Sequence, residues 1–470
     1  MAEMNLLKIK NENSQVFFNV LSSTISSGIA FFAMPLFTRL LGAEQYGLFS
    51  VYNSWLLIFT CIMGLNVGAG IGTGYYRFSD HYLRFRSSTL VEGTAISAAM
   101  ILTMLVLYPA LKKLIPYPFP LFLLLLLQAF SQFVLNIGSL AWTFEKKAFI
   151  NLIVSFCTAL LTTGLSIALL LKWNLDAPLY YARVTGAAIP TILIGFVVWT
   201  MLFVKSPAGF HAEYWKFSFF FGLPMVFHQL SHQVLGQSDR VMMQMFGISG
   251  QEIGIYSFYY SLTAVLTTIL MALNNSWCPF LYDGLKSEDY NKLNRKICNY
   301  VQVFTVIVIV FVMLCKEVSM VFANDEYRSD LPLVPILVLV IYCTFIYQFA
   351  VNYEFFMAKP KFVAIGTTVA GVWNILLNLL FIPQWGMYGA AIATLISYAA
   401  LAAIHYTVVK RWKYPQYPLS YSPIMLGLAA VIVACAGYKL LDGLWIVRWG
   451  IAFSLSIYLV IQVWKRKTFF

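Results

Sequence analysis

Apolar segments of about 20 residues recur from one end of this chain to the other, separated by short polar or Pro/Gly-rich breaks. A helix of that length crosses a bilayer core of about 30 Å. No long polar segment is left over for a soluble domain. The pattern therefore predicts an all-α polytopic membrane protein of about fourteen transmembrane helices, near 16-40, 47-72, 88-111, 118-141, 148-171, 179-204, 215-237, 252-276, 297-320, 331-357, 362-382, 386-409, 421-440 and 443-464.

Composition agrees with the pattern, since 60% of the 470 residues are hydrophobic and 11% are charged. The net charge of +12 is spread over short loops instead of clustering on a soluble face, so no nucleic-acid partner is expected. The seven cysteines form no CxxC pair and have no histidine at metal-ligand spacing. The cysteines therefore indicate neither disulfides nor a zinc site.

The first apolar segment follows Lys8 and Lys10 and is too long for a signal peptide, so we interpret it as a retained span. With the N-terminus inside, 21 of the 31 lysines and arginines lie in cytoplasmic segments. This excess follows the positive-inside rule. Both termini are therefore expected in the cytoplasm.

Two sequence matches indicate an internal repeat. The segment GLFSVYNS at Gly47–Ser54 matches GIYSFYYS at Gly254–Ser261, at an offset of 207 residues. The segment GAAIPT at Gly186–Thr191 matches GAAIAT at Gly389–Thr394, at an offset of 203 residues. Two matches at nearly the same offset predict a duplicated bundle.

The repeat predicts two six-helix lobes, 1-210 and 211-412, followed by two additional transmembrane helices in 413-470. Because six is even, both lobes enter the membrane from the same side and form parallel repeats. The interface between such lobes is where a cargo cavity is expected.

Glycines dominate the second predicted span. Gly64, Gly68 and Gly72 are four residues apart, which favours close helix packing through one face. The run GAGIGTG at Gly68–Gly74 follows no strand and lacks a GK[ST] sequence, so it does not predict a nucleotide site. We expect no cofactor.

The seventh predicted span carries a polar stripe. At about 100° per residue, His228, His232 and Asp239 fall within an arc of about 40° on one face of the helix. Gln229, Gln233 and Arg240 form an adjacent strip. The stripe fits hydrogen bonds between helices or the lining of a cavity, with proton-sensing histidines and a metal site as further alternatives.

Charges at the ends of other spans have a simpler explanation. For Arg39, Arg77 and Glu92 we expect extension towards the membrane interface. Glu354, near the cytoplasmic end of the tenth span, is expected to pair with Lys359 or Lys361.

Arg183 differs from these residues because it lies inside the sixth span. Its counterpart at the 203-residue offset is Gly386, so the charge does not belong to the shared architecture of the two lobes. A charge inside a membrane segment is a candidate functional site.

Four segments resemble Wzx-type polysaccharide flippases of the multidrug/oligosaccharidyl-lipid/polysaccharide exporter superfamily. They read TRLLGAEQYGLFSVYNS, SDRVMMQMFGISGQEIGIYSFYYS, WCPFLYDGLK and MAKPKFVAIGTTVAGVWNILLNLLFIPQWGMYGAAIATLISY. The resemblance covers essentially the whole chain. It implies two six-helix lobes in a V-shape, and export of undecaprenyl-diphosphate-linked oligosaccharide to the outer leaflet of the bacterial cytoplasmic membrane. Asp239 and Arg240 match the family's DR pair, and Arg77 resembles an arginine that follows span two, although here it comes after a glycine run and Tyr75-Tyr76.

The resemblance also implies a set of partners: the lipid-linked oligosaccharide, membrane lipids, a counter-ion (H⁺ or Na⁺), and a polysaccharide polymerase with glycosyltransferases. Arginine suits a diphosphate because its planar fork donates two hydrogen bonds. No catalytic residues are expected. The predicted substrate-binding residues are Arg39, Arg77, Arg183, His228, His232, Asp239 and Arg240.

Two alternatives remain at this point. A cation-coupled multidrug exporter of the same superfamily needs an acidic residue in the first lobe, where Glu92 is the candidate. A membrane glycosyltransferase needs a sizeable external loop with acidic residues, and the longest external polar run, near Asn324 to Asp330, is short.

Overall fold

The structure is a computed structural model that describes residues 12–174, 176–411 and 419–466. Lys8, Lys10 and the predicted boundary at residue 413 lie outside these ranges. Within them every regular element is a helix, and the predicted all-α membrane class is confirmed.

The chain divides into two compact units, Met1–Met245 and Phe246–Phe470. The predicted lobes, 1-210 and 211-412, and their relation as repeats remain predictions. The helices of the first unit are α1 (Glu12–Ile62), α2 (Ile71–Arg77), α3 (Tyr82–Val106), α4 (Tyr108–Leu111), α5 (Phe119–Phe144), α6 (Ala148–Leu171), α7 (Tyr180–Val204) and α8 (Ala212–Met245). Those of the second are α9 (Gly250–Lys286), α10 (Tyr290–Phe322), α11 (Leu333–Phe356), α12 (Pro360–Arg411), α13 (Ser422–Leu440) and α14 (Trp445–Arg466).

Eleven helical stretches in the described residues are long and apolar enough to cross a membrane. Two of them, Ser27–Arg77 and Lys361–Arg411, are 51 residues long and contain non-helical glycines, Gly42 at φ 70° and Gly386 at φ 53°. The 34-residue helix α8 is long enough but is not among the eleven, because its polar stripe lowers its hydropathy. The count of fourteen remains a prediction.

Left-handed glycines precede both copies of the repeated motif. Gly42 (φ 70°) comes shortly before Gly47, and Gly247 (φ 72°) comes shortly before Gly254. Only glycine adopts this conformation at little cost. Each copy of the motif thus follows a backbone position that favours glycine, and the duplication itself remains a prediction.

The second predicted span, 47-72, is not one continuous helix. After α1 the chain forms a 3₁₀ segment, Met63–Gly70, in which Gly64, Leu65 and Asn66 have φ values of 60°, 46° and 52°. Left-handed backbone costs a leucine roughly 1–2 kcal/mol, and such strain persists only where the surroundings enforce it. The expectation of an uninterrupted helix is therefore wrong.

The glycines around the break pack closely against α5, as predicted. A Cβ atom on Gly68 would lie 2.6 Å from Ile137 Cγ1, and Gly64 and Gly72 lie directly against Phe133 and Phe144. Large side chains of α5 thus fill the space that the glycines leave.

Helix α8 covers the break from the other side. A Cβ atom on Gly222 would lie 2.8 Å from the carbonyl oxygens of both Leu65 and Asn66. Because only a hydrogen atom fits there, Gly222 lets α8 approach the irregular backbone.

A buried ionic cluster joins the ends of three segments in the first unit. Arg86 of α3 forms an ion pair with Glu145 and donates a 2.7 Å hydrogen bond to the carbonyl of Leu202 in α7. Glu145 also pairs with Lys147. Burial, together with the nearby Lys147 and Arg86, lowers the pKa of Lys205. The cluster fixes this end of the unit.

Ion pairs also tie helices of the second unit together. Arg448 of α14 binds both carboxylate oxygens of Glu317 in α10, at 2.6 and 3.0 Å. Glu354 of α11 pairs with His405 of α12 at 2.9 Å. The predicted pairing of Glu354 with Lys359 or Lys361 is therefore wrong, because the end of α12 lies beside the end of α11, a contact that local sequence does not reveal.

Replacing Gly222 by alanine tests the packing at the break. The new methyl group would overlap two carbonyl oxygens, so Gly222→Ala should lower the free energy of unfolding by about 1–3 kcal/mol. Gly164→Ala is the matched control, because a Cβ at Gly164 meets nothing within 4 Å. The measurement is the thermal midpoint of the purified full-length protein in detergent. Equal midpoints for the two variants would contradict the packing.

Candidate cavity in the first unit

A cavity of about 860 Å³ lies within the first unit, walled by α1, the 3₁₀ segment, α5, α6, α7 and α8. Its polar lining consists mainly of carboxamides and hydroxyls. The carboxamides belong to Asn53, Asn66, Gln128, Gln132, Asn136, Gln229 and Gln233. The hydroxyls belong to Thr60, Ser139, Thr158, Thr162 and Thr191.

The electrostatic character of the cavity comes from Arg183, the one arginine or lysine among its described lining residues. His228, His232 and Cys61 are the other titratable side chains in the lining, and no described lining residue carries a carboxylate. A cavity of this composition favours an uncharged or anionic ligand over a cation.

Arg183 is held by aromatic rings and one hydroxyl. Its Cζ atom lies 3.8 Å from the centroid of Phe37 and 4.8 Å from that of Phe49, and Nη1 donates a 2.6 Å hydrogen bond to Ser166 Oγ. Gly186 permits this arrangement, because a Cβ there would lie 2.6 Å from the backbone nitrogen of Ser166. The close approach of α6 and α7 brings Ser166 within reach of the guanidinium.

The positive charge of Arg183 is not balanced by a carboxylate in the described parts of the chain. Its Nε atom is buried without a hydrogen-bond partner. A buried charge without a partner is costly and is retained where it has a function. The arrangement therefore suits an anion that supplies the missing partner.

Two further buried atoms at the cavity have no protein partner in the described chain. They are Asn66 Nδ2, at the break in the second span, and His228 Nδ1, on α8. An unmade hydrogen bond of a buried group costs about 1–3 kcal/mol. A ligand with hydroxyl or phosphate oxygens would remove the cost at Asn66.

The repeated motif of α1 organises one wall of the cavity. Tyr52 donates a 3.0 Å hydrogen bond to Gln128 Oε1, which fixes that carboxamide, and Asn53 lines the cavity directly. Ser54 donates a 3.1 Å bond to Gln237 Oε1 and so connects α1 to α8. Motif residues thus orient the polar wall.

Of the seven predicted site residues, the structure brings three to the cavity: Arg183, His228 and His232. The other four do not line it. Arg39 is exposed. Arg77 is exposed on α2, with its Cζ atom 5.0 Å from the Phe217 ring.

Asp239 and Arg240 are buried further along α8. Arg240 Nη1 donates to the carbonyl of Gly236 at 3.0 Å and to Gln237 Oε1 at 3.3 Å. Gln237 also accepts the hydrogen bond from Ser54, so the arginine helps to hold the junction between α8 and α1.

Glu92 does not extend to an interface. Its side chain is 2% exposed within the protein, and Oε2 has no hydrogen-bond partner among the described residues. The predicted extension is therefore wrong, because packing in the first unit surrounds this part of α3.

The sequence interpretation named Gln229 and Gln233 of α8 but missed the carboxamides of α1, the 3₁₀ segment and α5, although one signal for those of α5 was present. Gln128, Gln132 and Asn136 are spaced by four in an otherwise apolar helix, so they share one face. Asn66 carried no such signal, because its position depends on the left-handed break.

The fold is similar to that of solved multi-pass membrane transporters. The structure is similar to the lipid II flippase MurJ in an inward closed conformation, with a TM-score of 0.74 and 14% identity over 96% of this chain and 99% of that one. It is also similar to an inward-facing multidrug resistance MATE family transporter of the MOP superfamily, with a TM-score of 0.61 and 14% identity over 88% and 98%. These likenesses show the fold.

The chain belongs to the family described as polysaccharide biosynthesis protein, which matches residues 14–284. The predicted family resemblance is thereby confirmed. A protein of the lsg locus of Haemophilus influenzae is 24% identical over 55% of this chain and 63% of its own length. An uncharacterized membrane protein of the same organism is 22% identical over 71% and 81%. This chain thus spans less than two thirds of the lsg locus protein.

Replacing arginines by methionine distinguishes functional from structural charges. Arg183→Met removes a charge that has no carboxylate partner, so it should leave the thermal midpoint unchanged or raise it. Arg448→Met leaves Glu317 without its bidentate partner and should lower the midpoint. Both are measured on the purified full-length protein. A loss of stability in Arg183→Met as large as that in Arg448→Met would show that Arg183 is structural.

Proposed function

We propose that this chain is a flippase that moves undecaprenyl-diphosphate-linked oligosaccharide repeat units from the cytoplasmic to the outer leaflet, for the synthesis of surface polysaccharide. The observation that carries the proposal is Arg183, a cation without a carboxylate partner in a cavity lined by carboxamides. Membership of the polysaccharide biosynthesis family supports the same function.

The chemistry of the cavity suits both parts of this cargo. A diphosphate cannot cross hydrocarbon uncompensated, because one charge alone costs several kcal/mol there. Arg183 supplies a fork of donors for phosphate oxygens. Carboxamides offer both donors and acceptors and therefore pair with sugar hydroxyls in either orientation.

The predicted residues outside the cavity have separate roles in this proposal. Arg39 and Arg77, both exposed, attract the anionic head of the cargo. Asp239 and Arg240 hold the α8 wall in place. His228 and His232 complete the binding surface beside Arg183.

The proposal places the chain in the bacterial cytoplasmic membrane with both termini in the cytoplasm. An inside-negative potential favours outward movement of the anionic cargo by about 2.3 kcal/mol per charge per 100 mV. A counter-ion contributes further driving force. Glycosyltransferases supply the cargo, and a polymerase consumes it on the outer side.

Export in a deletion strain tests the function. The wild-type gene should restore surface polysaccharide, whereas Arg183→Ala should reduce export at least about tenfold at unchanged protein level, the loss expected for charge-assisted hydrogen bonds. Arg84→Ala, at an exposed arginine outside the cavity, is the matched control. Surface polysaccharide that persists in the deletion strain, without lipid-linked units building up on the cytoplasmic side, would refute the proposal.

A second candidate is a cation-coupled multidrug exporter, favoured by the unpaired buried carboxyl of Glu92. This function predicts dye efflux that depends on a cation gradient and is abolished in Glu92→Gln, while Glu213→Gln, at an exposed position, has no effect. Absence of gradient-dependent dye efflux in the wild-type protein would eliminate this candidate.

A further inference from the structure

A buried pair of ionisable side chains lies in the second unit, far along the chain from the residues that line the cavity. Glu354 is near the end of α11, and His405 is near the end of α12. His405 Nδ1 and Glu354 Oε1 are 2.9 Å apart, and both side chains are almost completely inaccessible.

Each member of the pair keeps one polar atom without a partner. His405 Nε2 and Glu354 Oε2 are both buried and form no hydrogen bond in the described chain. Burying a pair of ionisable side chains is costly, and a pair with only a structural role can often be replaced by apolar side chains. Ionisable groups held in this way inside a membrane protein are typical of proton pathways.

Few groups face the pair. The Tyr347 ring of α11 stacks on His405 with a centroid distance of 6.1 Å, and a Cβ on Gly366 of α12 would lie 2.8 Å from Nε2. Helices α9, α10 and α13 also pack on α11. Within the described ranges, none of them supplies a hydrogen bond or ion pair to Glu354 or His405.

We propose that Glu354 and His405 form a proton-binding site that takes up and releases one proton in each transport cycle. With a carboxylate and a neutral imidazole whose Nδ1–H donates to Oε1, the pair has one negative charge. A proton that binds at the free lone pair of Nε2 produces a carboxylate–imidazolium pair without net charge. Release of that proton restores the first state.

The site suits a proton better than a metal ion. No group of three or more His, Cys, Asp or Glu side chains suitable for a metal occurs among the described residues. The backbone of Gly366 also occupies the space beside Nε2. A larger cation would lack both ligands and room there.

The position of the pair gives protonation a mechanical consequence. His405 near the end of α12 contacts Glu354 of α11 and also Gly366 near the start of α12. The two arms of α12 meet at the non-helical Gly386. A change of charge at the pair therefore alters the attraction between α11 and the two arms of α12. We infer that proton binding acts on the transport cycle through this change.

Infrared difference spectroscopy tests proton binding without any cargo. Spectra of the purified full chain in lipid nanodiscs are recorded over a series of pH values. We expect carboxylate and imidazole bands that change with pH, are lost in His405→Gln and Glu354→Gln, and persist in the control Glu213→Gln, at an exposed position. If the bands of the wild-type protein and of Glu354→Gln titrate identically, the proposal is wrong.

Export tests the coupling, and this part rests on the proposed function. The membrane potential of the cells is clamped, so that only an inward proton gradient drives transport. If one proton is coupled to each unit, this gradient can raise the ratio of lipid-linked units in the outer leaflet to those in the inner leaflet by up to about tenfold per pH unit. The double variant Glu354→Gln/His405→Gln keeps a hydrogen-bonded pair without a titrating group. It should lose the response to the gradient while the protein level stays unchanged.

The outcomes separate the two proposals. A double variant that exports with the wild-type response to pH would show that the pair is structural and would overturn the proton site. Wild-type protein that exports no lipid-linked units would refute the flippase function, whereas the infrared titration would still decide whether the pair binds a proton.

Discussion

The cost of leaving a charge or a polar group unpaired inside a membrane is the constraint on which this structure depends. Most buried charges meet it with a partner: Arg86 binds Glu145, and Arg448 binds Glu317. Arg183 does not, because aromatic rings and one hydroxyl surround it. Glu92 also lacks a partner among the described residues, but it does not line the cavity, whereas Arg183 does. This position is the reason that we propose a binding role for Arg183.

The irregular backbone obeys the same constraint. Non-helical backbone at membrane depth is tolerated where it is packed in protein or lines a water-filled cavity. The left-handed run from Gly64 to Asn66 does both, since Gly222 of α8 covers its carbonyl oxygens and Asn66 faces the cavity. The left-handed run thus brings the carboxamide of Asn66 to the cavity.

The length of the apolar segments was enough to predict the class of fold but not the number of spans, and a charge in an apolar segment was enough to single out Arg183 as a candidate. Features that depend on contacts distant in sequence were not predictable. The break at Leu65 requires packing by α5 and α8, and Glu354 has a nearby lysine in sequence but pairs with His405, 51 positions away. The local sequence pattern does not show which of several possible partners a charged side chain contacts in the folded protein.

Binding of undecaprenyl diphosphate to the purified full-length protein tests the central claim most directly. Affinity is compared between the wild-type chain and Arg183→Met, with uncharged undecaprenol as the control ligand. If Arg183 binds the diphosphate, the variant should bind it roughly tenfold or more weakly, as expected for the loss of a charge-assisted hydrogen bond, and undecaprenol binding should not change. Equal affinity of both proteins for the diphosphate would contradict the account.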